Sequence, residues 1–212
     1  QPRSRGLGDV YKRQHSKLMA WRAFDLAAQN EVSFCAEDRA RWREQATQVH
    51  ADILANALHA DGYFVQSYGG EALDAALLLM PLTGFLPPDD PRLVATVEAI
   101  RDRLTVDGLV QRYATEEASD GLPDGEGTFL ACSFWLVEAL AIIGRLDQAL
   151  ERYTALLALC NDVGLLAEEY DPRGRRMLGN FPQGYSHMAL VNAAYRLNNF
   201  HDIQRTSTEI HA

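Results

Sequence analysis

The sequence lacks the features of two large classes of protein. No apolar run approaches the roughly 20 residues needed to cross a bilayer, so we expect no membrane span. Lys and Arg number 20 against 29 Asp and Glu, which gives a net charge of −9. An acidic chain is poorly suited to binding a phosphate backbone, whereas a neutral, polyhydroxylated ligand meets no electrostatic penalty. We therefore expect no membrane and no nucleic-acid partner.

Cysteine is also scarce. Cys35, Cys132 and Cys160 are far apart, and none lies in a CxxC pair or near a histidine at metal-binding spacing. This argues against a zinc site, and we expect no metal and no cofactor. An odd number of separated cysteines and the absence of an N-x-S/T acceptor predict reduced core residues in a cytoplasmic protein.

The first fourteen residues, QPRSRGLGDVYKRQ, differ in character from the rest. They carry Arg3, Arg5, Lys12 and Arg13 in a chain that is otherwise acidic. Their last part, DVYKRQ, resembles the translation of an adapter used to build sequencing libraries, and a natural basic arm is the alternative. We expect residues 1–14 to be non-native and the native gene to begin upstream of residue 15.

From residue 15 onward, apolar residues recur at helical spacing. Seven helices are predicted, of two alternating kinds. Four are apolar on nearly all sides, which predicts burial among other helices: 15–28, 71–83, 128–143 and 182–197. Three carry a single apolar stripe, which predicts an outer position: 37–58, 91–104 and 147–160. In the last of these the residues expected to face inward are Leu150, Tyr153, Leu157 and Cys160. Thr128 is expected to cap the third inner helix. An inner ring wrapped by an outer ring, an α/α toroid, accounts for this alternation.

The links that lead from outer to inner helices are the long ones, at 59–70, 105–127 and 161–181. Long loops without secondary structure are uncommon unless they carry function. In a toroid all of these links lie at the same end, which is the expected active-site face.

Two of these long links are acidic and contain tyrosine. The first carries Arg112, Tyr113, Glu116, Glu117 and Glu126, and the second carries Glu168, Glu169, Tyr170 and Asp171. Carboxyl groups beside aromatic and hydrogen-bonding side chains suit hydrolysis of a glycosidic bond. Charged loops are more often solvated surface, so this pattern alone leaves both interpretations open.

Two long segments resemble the glucoamylase-like glycoside hydrolase family. They are GEGTFLACSFWLVEALA at 125–141 and GLLAEEYDPRGRRMLGNFPQGYSHMALVNAA at 164–194. Segments 15–27 and 72–92 extend the resemblance over essentially all of the chain after Gln14. The family includes glucoamylases, glucodextranases and bacterial trehalases, and its fold is an (α/α)6 toroid. The resemblance implies that residues 15–212 are the C-terminal part of such a catalytic domain, an incomplete all-α toroid.

The resemblance also implies an activity, the release of terminal α-linked glucose with inversion. The expected substrate is a small carbohydrate: trehalose, maltose or a malto-oligosaccharide. Glu168 matches the family's general base, which removes a proton from the attacking water, and Glu169 competes for that role. Arg112 and Tyr113 match the pair that binds the terminal glucose.

Other residues are weaker candidates. Glu126 either binds a sugar hydroxyl or serves as a first-turn helix acid. Lys17, at the start of the first inner helix, either binds substrate or packs structurally, and Glu169 is a substrate-binding candidate if it is not the base. We expect His187 to be a hydrogen-bonded core residue. Three further residues are expected to tie the second long loop to the last helix: Asn180, Gln183 and Ser186.

One part of the family pattern is missing. The family places its general acid in a Trp-Glu-x-Arg type segment shortly before the SKLMAW stretch. Here residues 1–14 occupy that position, and they contain neither Trp nor Glu. The sequence therefore names no general acid, and we predict that this polypeptide alone does not hydrolyse glucosides.

A helical-repeat interaction module is the alternative from another class. The stretch GRLDQALERYTALLAL resembles a tetratricopeptide helix, and such arrays bind peptides. No 34-residue period recurs, however, and long acidic loops are not typical of such arrays.

Overall fold

The computed structural model describes residues 13–113 and 127–210, with side chains up to residue 199. Within these ranges the chain is mostly helical, as predicted. The α-helices are α1 Gln14–Gln29, α2 Ala36–Asn56, α3 Met80–Thr83, α4 Pro91–Arg103, α5 Leu130–Ile142, α6 Leu146–Leu157 and α7 Gly184–Ile210, with a 3-10 helix at Ala75–Leu79. The short strands are β1 Thr105–Val106, β2 Leu109–Val110, β3 Thr128–Phe129, β4 Glu169–Asp171 and β5 Arg176–Leu178. No helix in the described ranges is both long and apolar enough to span a bilayer.

Helix α5 is the centre of the core. Eleven of its 13 residues are buried. It packs against the 3-10 helix, α3, α4, α6 and α7, so that every side of the helix meets another element. A helix surrounded in this way has no polar face, which explains why its sequence shows no amphipathic stripe.

Helices α2, α4 and α6 lie outside this inner layer and each buries one stripe. In α4 the stripe is formed by Leu93, Val97 and Ile100. The start of α4 is fixed by Asp90, whose carboxylate accepts a hydrogen bond of 3.0 Å from the backbone N–H of Arg92, with proline at the first helical position. The predicted alternation of inner and outer helices is confirmed.

Helices α1 and α7 are less buried than predicted. Met19 and Leu26 of α1 and Met188 and Val191 of α7 are exposed. In the described part of the chain, α1 packs mainly on α2, while α7 packs on α5 and α6. Each of these two helices therefore presents an apolar face without a neighbour among the described residues, and the expectation of burial on nearly all sides is wrong for both.

Two smaller predictions of burial are also wrong. On α6 the expected inward residues Leu150 and Leu157 are exposed, whereas Ala149 and Leu156 are buried. Adjacent positions on this helix are equally apolar, so periodicity did not separate the two faces. Cys35 is exposed, although Cys132 is buried and Cys160 is partly buried.

The helix expected at 71–83 is shorter and of mixed type. Asp74 caps the 3-10 helix by accepting a hydrogen bond of 2.8 Å from the backbone N–H of Ala76. Pro81 cannot donate a helical hydrogen bond, so it is accommodated only at the beginning of α3. Gly84, at φ 70°, ends that helix in the left-handed conformation.

Two long links contain hairpins rather than irregular loop alone. Strands β1 and β2 pair through a turn at Asp107 and Gly108, both with positive φ, as a two-residue hairpin of type I′ requires. Strands β3, β4 and β5 form an antiparallel sheet in which Thr128 faces Tyr170. Thr128 donates its hydroxyl to the carbonyl of Tyr170, so the prediction that it caps α5 is wrong.

The links that enter the inner helices meet at one end of the molecule, as predicted. The backbone N–H of Ala75, at the start of the 3-10 helix that follows the first link, donates to the carbonyl of Arg112 in the second link at 2.8 Å. The N–H of Leu130 donates to the carbonyl of Glu168 at 3.1 Å, which joins the start of α5 to the third. This shared end positions the candidate site.

The predicted boundary at residue 14 is only partly within the described residues. Residues 1–12 lie outside them. Arg13 forms a β-bridge with Ser67, and Gln14 is the buried first residue of α1. The non-native origin of residues 1–14 stays a prediction.

Candidate active site

Glu168 lies where three elements meet, in the residue just before β4. Its N–H donates to the carbonyl of Asn180 at 3.0 Å, and its own carbonyl accepts from Leu130 at the start of α5. The main chain of Glu168 is thus held from both sides. The Glu168 side chain therefore extends from a main chain whose position is fixed.

The two residues before Glu168 are tied to the first turn of α7. Ser186, which is buried, donates its hydroxyl to the carbonyl of Ala167 at 2.8 Å. The N–H of Leu166 donates to Nε2 of His187 at 3.3 Å, so the proton is on Nδ1, which lies 2.7 Å from the carbonyl of Gln183. Both ring nitrogens of His187 are used in fixing the loop, which agrees with its expected structural role.

The structure separates the two adjacent glutamates. Oε2 of Glu168 accepts hydrogen bonds from the backbone N–H of Asn180 at 3.2 Å and from its side-chain amide at 3.1 Å. Oε2 of Glu169 accepts from the N–H of Gly127 at 2.9 Å. Consecutive residues at a strand point to opposite sides. The Glu169 carboxylate is therefore directed to β3, while Glu168 faces the other way.

Glu168 lines a cavity of about 250 Å³. The other lining residues come from the second long link, β3, α5, the residue just before α7 and the first turn of α7: Arg112, Phe129, Ala131, Cys132, Trp135, Gln183, Tyr185 and Ser186. The cavity combines one carboxylate and one guanidinium with aromatic walls. Such a mixture is typical of a small-molecule site.

Arg112 is held in a defined orientation. Its Nη2 donates to the hydroxyl of Tyr113 at 3.0 Å, and its guanidinium carbon lies 4.6 Å from the centre of the Tyr113 ring and 5.5 Å from that of Phe129. Tyr113 is buried, whereas Arg112 is exposed. The buried Tyr113 thus packs against the guanidinium of Arg112, and Arg112 lines the cavity.

Comparison with known proteins identifies this arrangement. The model of the family "Glycosyl hydrolases family 15" matches residues 10–195, which is most of the chain. The chain belongs to glycosyl hydrolase family 15. The predicted family is thereby confirmed.

Individual relatives support the same assignment. A trehalase of Mycobacterium tuberculosis is 50% identical over 183 residues, which cover 84% of this chain and 26% of that relative. The chain therefore spans about a quarter of the length of that enzyme.

Solved structures of low sequence identity share the fold. A structure described as a wild-type glycosidase has a TM-score of 0.74 at 23% identity, covering 88% of this chain and 52% of that one. A bacterial glucoamylase complexed with acarbose has a TM-score of 0.69 at 16% identity, with coverage of 89% and 33%. These similarities confirm the incomplete (α/α)6 toroid.

Lys17 lies away from the cavity of this family 15 domain. Its ammonium group forms an ion pair with Asp52 of α2 and lies 4.6 Å from the centre of the Tyr68 ring. The hydroxyl of Tyr68 also donates to Asp52, at 3.0 Å. The hydrogen bond from Lys17, assisted by Tyr68, lowers the pKa of Asp52. These contacts account for Lys17 as a link between α1 and α2, and substrate binding by Lys17 stays a prediction.

Three acidic candidates, Glu116, Glu117 and Glu126, fall outside the described residues. Within the described part, the sequence pattern missed the aromatic side of the cavity. The helical pattern predicts a uniformly apolar helix around Trp135 and a mostly apolar last helix around Tyr185, and it marks neither residue as part of a site. The available signal was the spacing of three between Cys132 and Trp135, which places both on one face of α5.

Proposed function

We propose that the enzyme to which this chain belongs hydrolyses trehalose to glucose by direct attack of water, with Glu168 as the general base. The observation that carries the proposal is the fixed carboxylate of Glu168 in the same cavity as Arg112. The names of the curated relatives favour trehalose over other α-glucosides, since several of them are trehalases. Maltose and small malto-oligosaccharides are the second choice of substrate.

The hydrogen bonds of Glu168 suit a base. Asn180 donates twice to Oε2, and no donor in the described part of the chain is bonded to Oε1. Oε1 is then the atom that accepts a proton from the attacking water. Arg112, with several N–H groups fixed against two aromatic rings, donates hydrogen bonds to hydroxyls of the terminal glucose.

Inversion requires a second carboxyl group on the opposite face of the sugar. In inverting glycosidases the two groups are roughly 6.5–9.5 Å apart, which leaves room for the water. Glu168 is the one carboxylate that lines the described cavity. Because residues 1–14 also lack the Trp-Glu segment expected of the family, we propose that the general acid lies outside this 212-residue chain, and that the chain by itself releases no glucose.

The base is tested by Glu168→Gln in the longer enzyme, with Glu169→Gln as the matched control. We expect Glu168→Gln to abolish glucose release from trehalose while leaving the folded state intact, because the amide cannot accept the proton. Glu169→Gln should retain activity, since its carboxylate contacts the backbone of Gly127. The opposite result would assign the base to Glu169.

Two further measurements test the rest of the proposal. Proton NMR of the first product formed from trehalose should show a β-glucose signal, as inversion requires; a first product that is entirely α-glucose would contradict inversion. Incubation of the purified chain with trehalose or maltose should release no glucose, and measurable release would refute the proposal that the general acid lies outside this chain.

The helical-repeat alternative is not favoured. The family match includes the stretch that resembles a tetratricopeptide helix, and that stretch is the outer helix α6. For the location of the enzyme we propose the cytoplasm, because the three cysteines are few and far apart in the sequence, which is typical of a protein with reduced thiols. Fractionation of cells that express the longer enzyme would test this.

A further inference from the structure

A cavity of about 360 Å³ lies between the β1–β2 hairpin and the outer helix α6. The hairpin contributes the two residues of its turn, Asp107 and Gly108. Helix α6 contributes Arg152 and Leu156, which lie on the same face of the helix because they are one turn apart. This cavity shares no lining residue with the candidate active site. A ligand bound in it would therefore be separate from the candidate base.

Arg152 is a cation of this cavity that the fold leaves largely unpaired. The residue is partly buried, and its Nη1 donates to the carbonyl of Gly108 at 3.3 Å. Within the described part of the chain it forms no further hydrogen bond and no close ion pair. Burial, and then the nearby Arg101, lower the pKa of Arg152, although a guanidinium stays charged at neutral pH. Most of its N–H donors are therefore available to a ligand.

Two carboxylates line the same cavity without pairing with Arg152. Asp107 and Glu151 are exposed, and neither forms a hydrogen bond or a close ion pair with another residue that the structure describes. Asp107 is held in the hairpin turn at φ 49°, so its main chain is fixed beside the cavity. The cavity thus offers hydrogen-bond donors and acceptors at the same time.

The rest of the lining is mainly apolar. Leu109 of β2 and Leu156 of α6 line the cavity, and both are buried. An apolar lining with a few polar groups, and a volume between roughly 300 and 1,000 Å³, is typical of a small-molecule site. The two carboxylates would repel an anion, and Arg152 would repel a cation. A neutral molecule with hydroxyl groups at its edge and C–H groups on its faces, such as a sugar ring, matches both parts of the lining.

We propose that the cavity between the β1–β2 hairpin and α6 binds a neutral saccharide at a second site, outside the candidate active site. Arg152 donates hydrogen bonds to oxygens of the sugar. Asp107 and Glu151 accept hydrogen bonds from its hydroxyls, while Leu109 and Leu156 contact its C–H groups. This site does not depend on the proposed reaction, because none of its residues takes part in that reaction.

The experiment is a titration of the purified chain with trehalose, followed by two-dimensional proton–nitrogen NMR of the backbone amides. We expect saturable shifts of the amides of Gly108, Leu109 and Ala155, which line this cavity. The amides of Glu168 and Asn180 report the candidate active site. The two sites are therefore followed separately in one titration.

Variants identify the groups that bind the sugar. Arg152→Met should weaken trehalose binding at the hairpin amides by about tenfold, because methionine keeps the length of the side chain and loses the charged donor. Arg145→Met is the matched control, since Arg145 lies just before the same helix and outside the cavity lining, and it should bind trehalose as the unmodified chain does. Far-UV circular dichroism and urea midpoints identify any variant that is unfolded.

Asp107→Asn tests the site independently of Arg152. Asparagine tolerates the left-handed conformation of the turn, so the hairpin should keep its shape while the charged acceptor is lost. We expect weaker trehalose binding at the hairpin amides, by a smaller factor than in Arg152→Met, because the side-chain carbonyl of asparagine still accepts a hydrogen bond.

The outcomes separate this site from the proposed function. Trehalose shifts of the hairpin amides that are absent, or that are unchanged in Arg152→Met and Asp107→Asn, would overturn the saccharide site. Shifts produced by inorganic phosphate and not by trehalose would indicate an anion site and would overturn it as well. Trehalose shifts confined to Glu168 and Asn180 would overturn the second site and leave the proposed function standing. Shifts confined to the hairpin would support the second site and count against sugar binding beside Glu168.

Discussion

Gly179 is the residue at which a single added methyl group should disturb the candidate base most. It has φ +72°, and a Cβ placed there would lie 2.9 Å from Oε2 and 3.0 Å from Cβ of Glu168. Gly164 offers a matched comparison, because it has φ +78° and a Cβ there would meet nothing within 4 Å. Alanine at either position incurs the same backbone strain, and only at Gly179 does it also collide.

The expected magnitudes follow from these two terms. Left-handed backbone at a residue other than glycine costs roughly 1–2 kcal/mol, which is the loss of unfolding free energy expected for Gly164→Ala. Crowding adds about 1–3 kcal/mol when a well-packed site must accept an extra methyl group. Gly179→Ala should therefore lose roughly 2–5 kcal/mol, unless the Glu168 side chain moves aside. In that case the stability loss is smaller and the carboxylate leaves its hydrogen bonds with Asn180.

Urea unfolding, followed by tryptophan fluorescence, measures the stability of both variants. Titration of the folded variants with glucose measures their binding. Either a larger stability loss in Gly179→Ala than in Gly164→Ala, or weaker glucose binding in the former alone, would fit the structure. Equal stability together with equal glucose binding in the two variants would refute the contact between Gly179 and Glu168.

Three other changes test the supports of the fold and the site. Ser186→Ala should lower the free energy of unfolding by about 1–3 kcal/mol, because it leaves the buried carbonyl of Ala167 without its donor. Urea titration measures this loss, and a loss below roughly 0.5 kcal/mol, the size of an ordinary surface substitution, would contradict the expectation. Asp90→Ala should cost about 1 kcal/mol by removing the cap of α4, and an unchanged urea midpoint would argue against that cap. Burial raises the pKa of Glu138 despite its hydrogen bond from Arg196. The stability that this group contributes is therefore complete below its unfolded pKa of 4.5, and it is lost as the pH rises through its folded pKa. Glu138→Gln should therefore flatten the decline of the melting temperature with rising pH above 4.5, and an unchanged pH profile would refute this.

The helices and their layers were predictable because burial leaves a periodic record in the sequence. A surrounded helix such as α5 has no polar face, and an outer helix such as α4 has one apolar stripe, so the alternation could be recognised without coordinates. Where adjacent positions were equally apolar, as at Ala149 and Leu150 on α6, the same record was ambiguous and the predicted face was wrong.

The strands leave no periodic pattern of burial in the sequence. Strands β3 and β4 have only two and three residues, and they pair Thr128 with Tyr170, 42 residues along the chain. Pairing of this kind depends on main-chain hydrogen bonds between distant segments. Thr128 accordingly looked like a helix cap, although its hydroxyl is bonded across the sheet.

The sequence by itself determined the helical layers, the family and the pair of glutamates that includes the candidate base. The tertiary structure decided how the two differ, because Gly127, just before β3, donates its N–H to Glu169, while Asn180 donates its side-chain amide to Glu168. The fold likewise brought Trp135 and Tyr185 together, 50 residues apart in sequence. Helical periodicity records only which faces are buried, whereas these contacts are set by the directions in which separate segments cross.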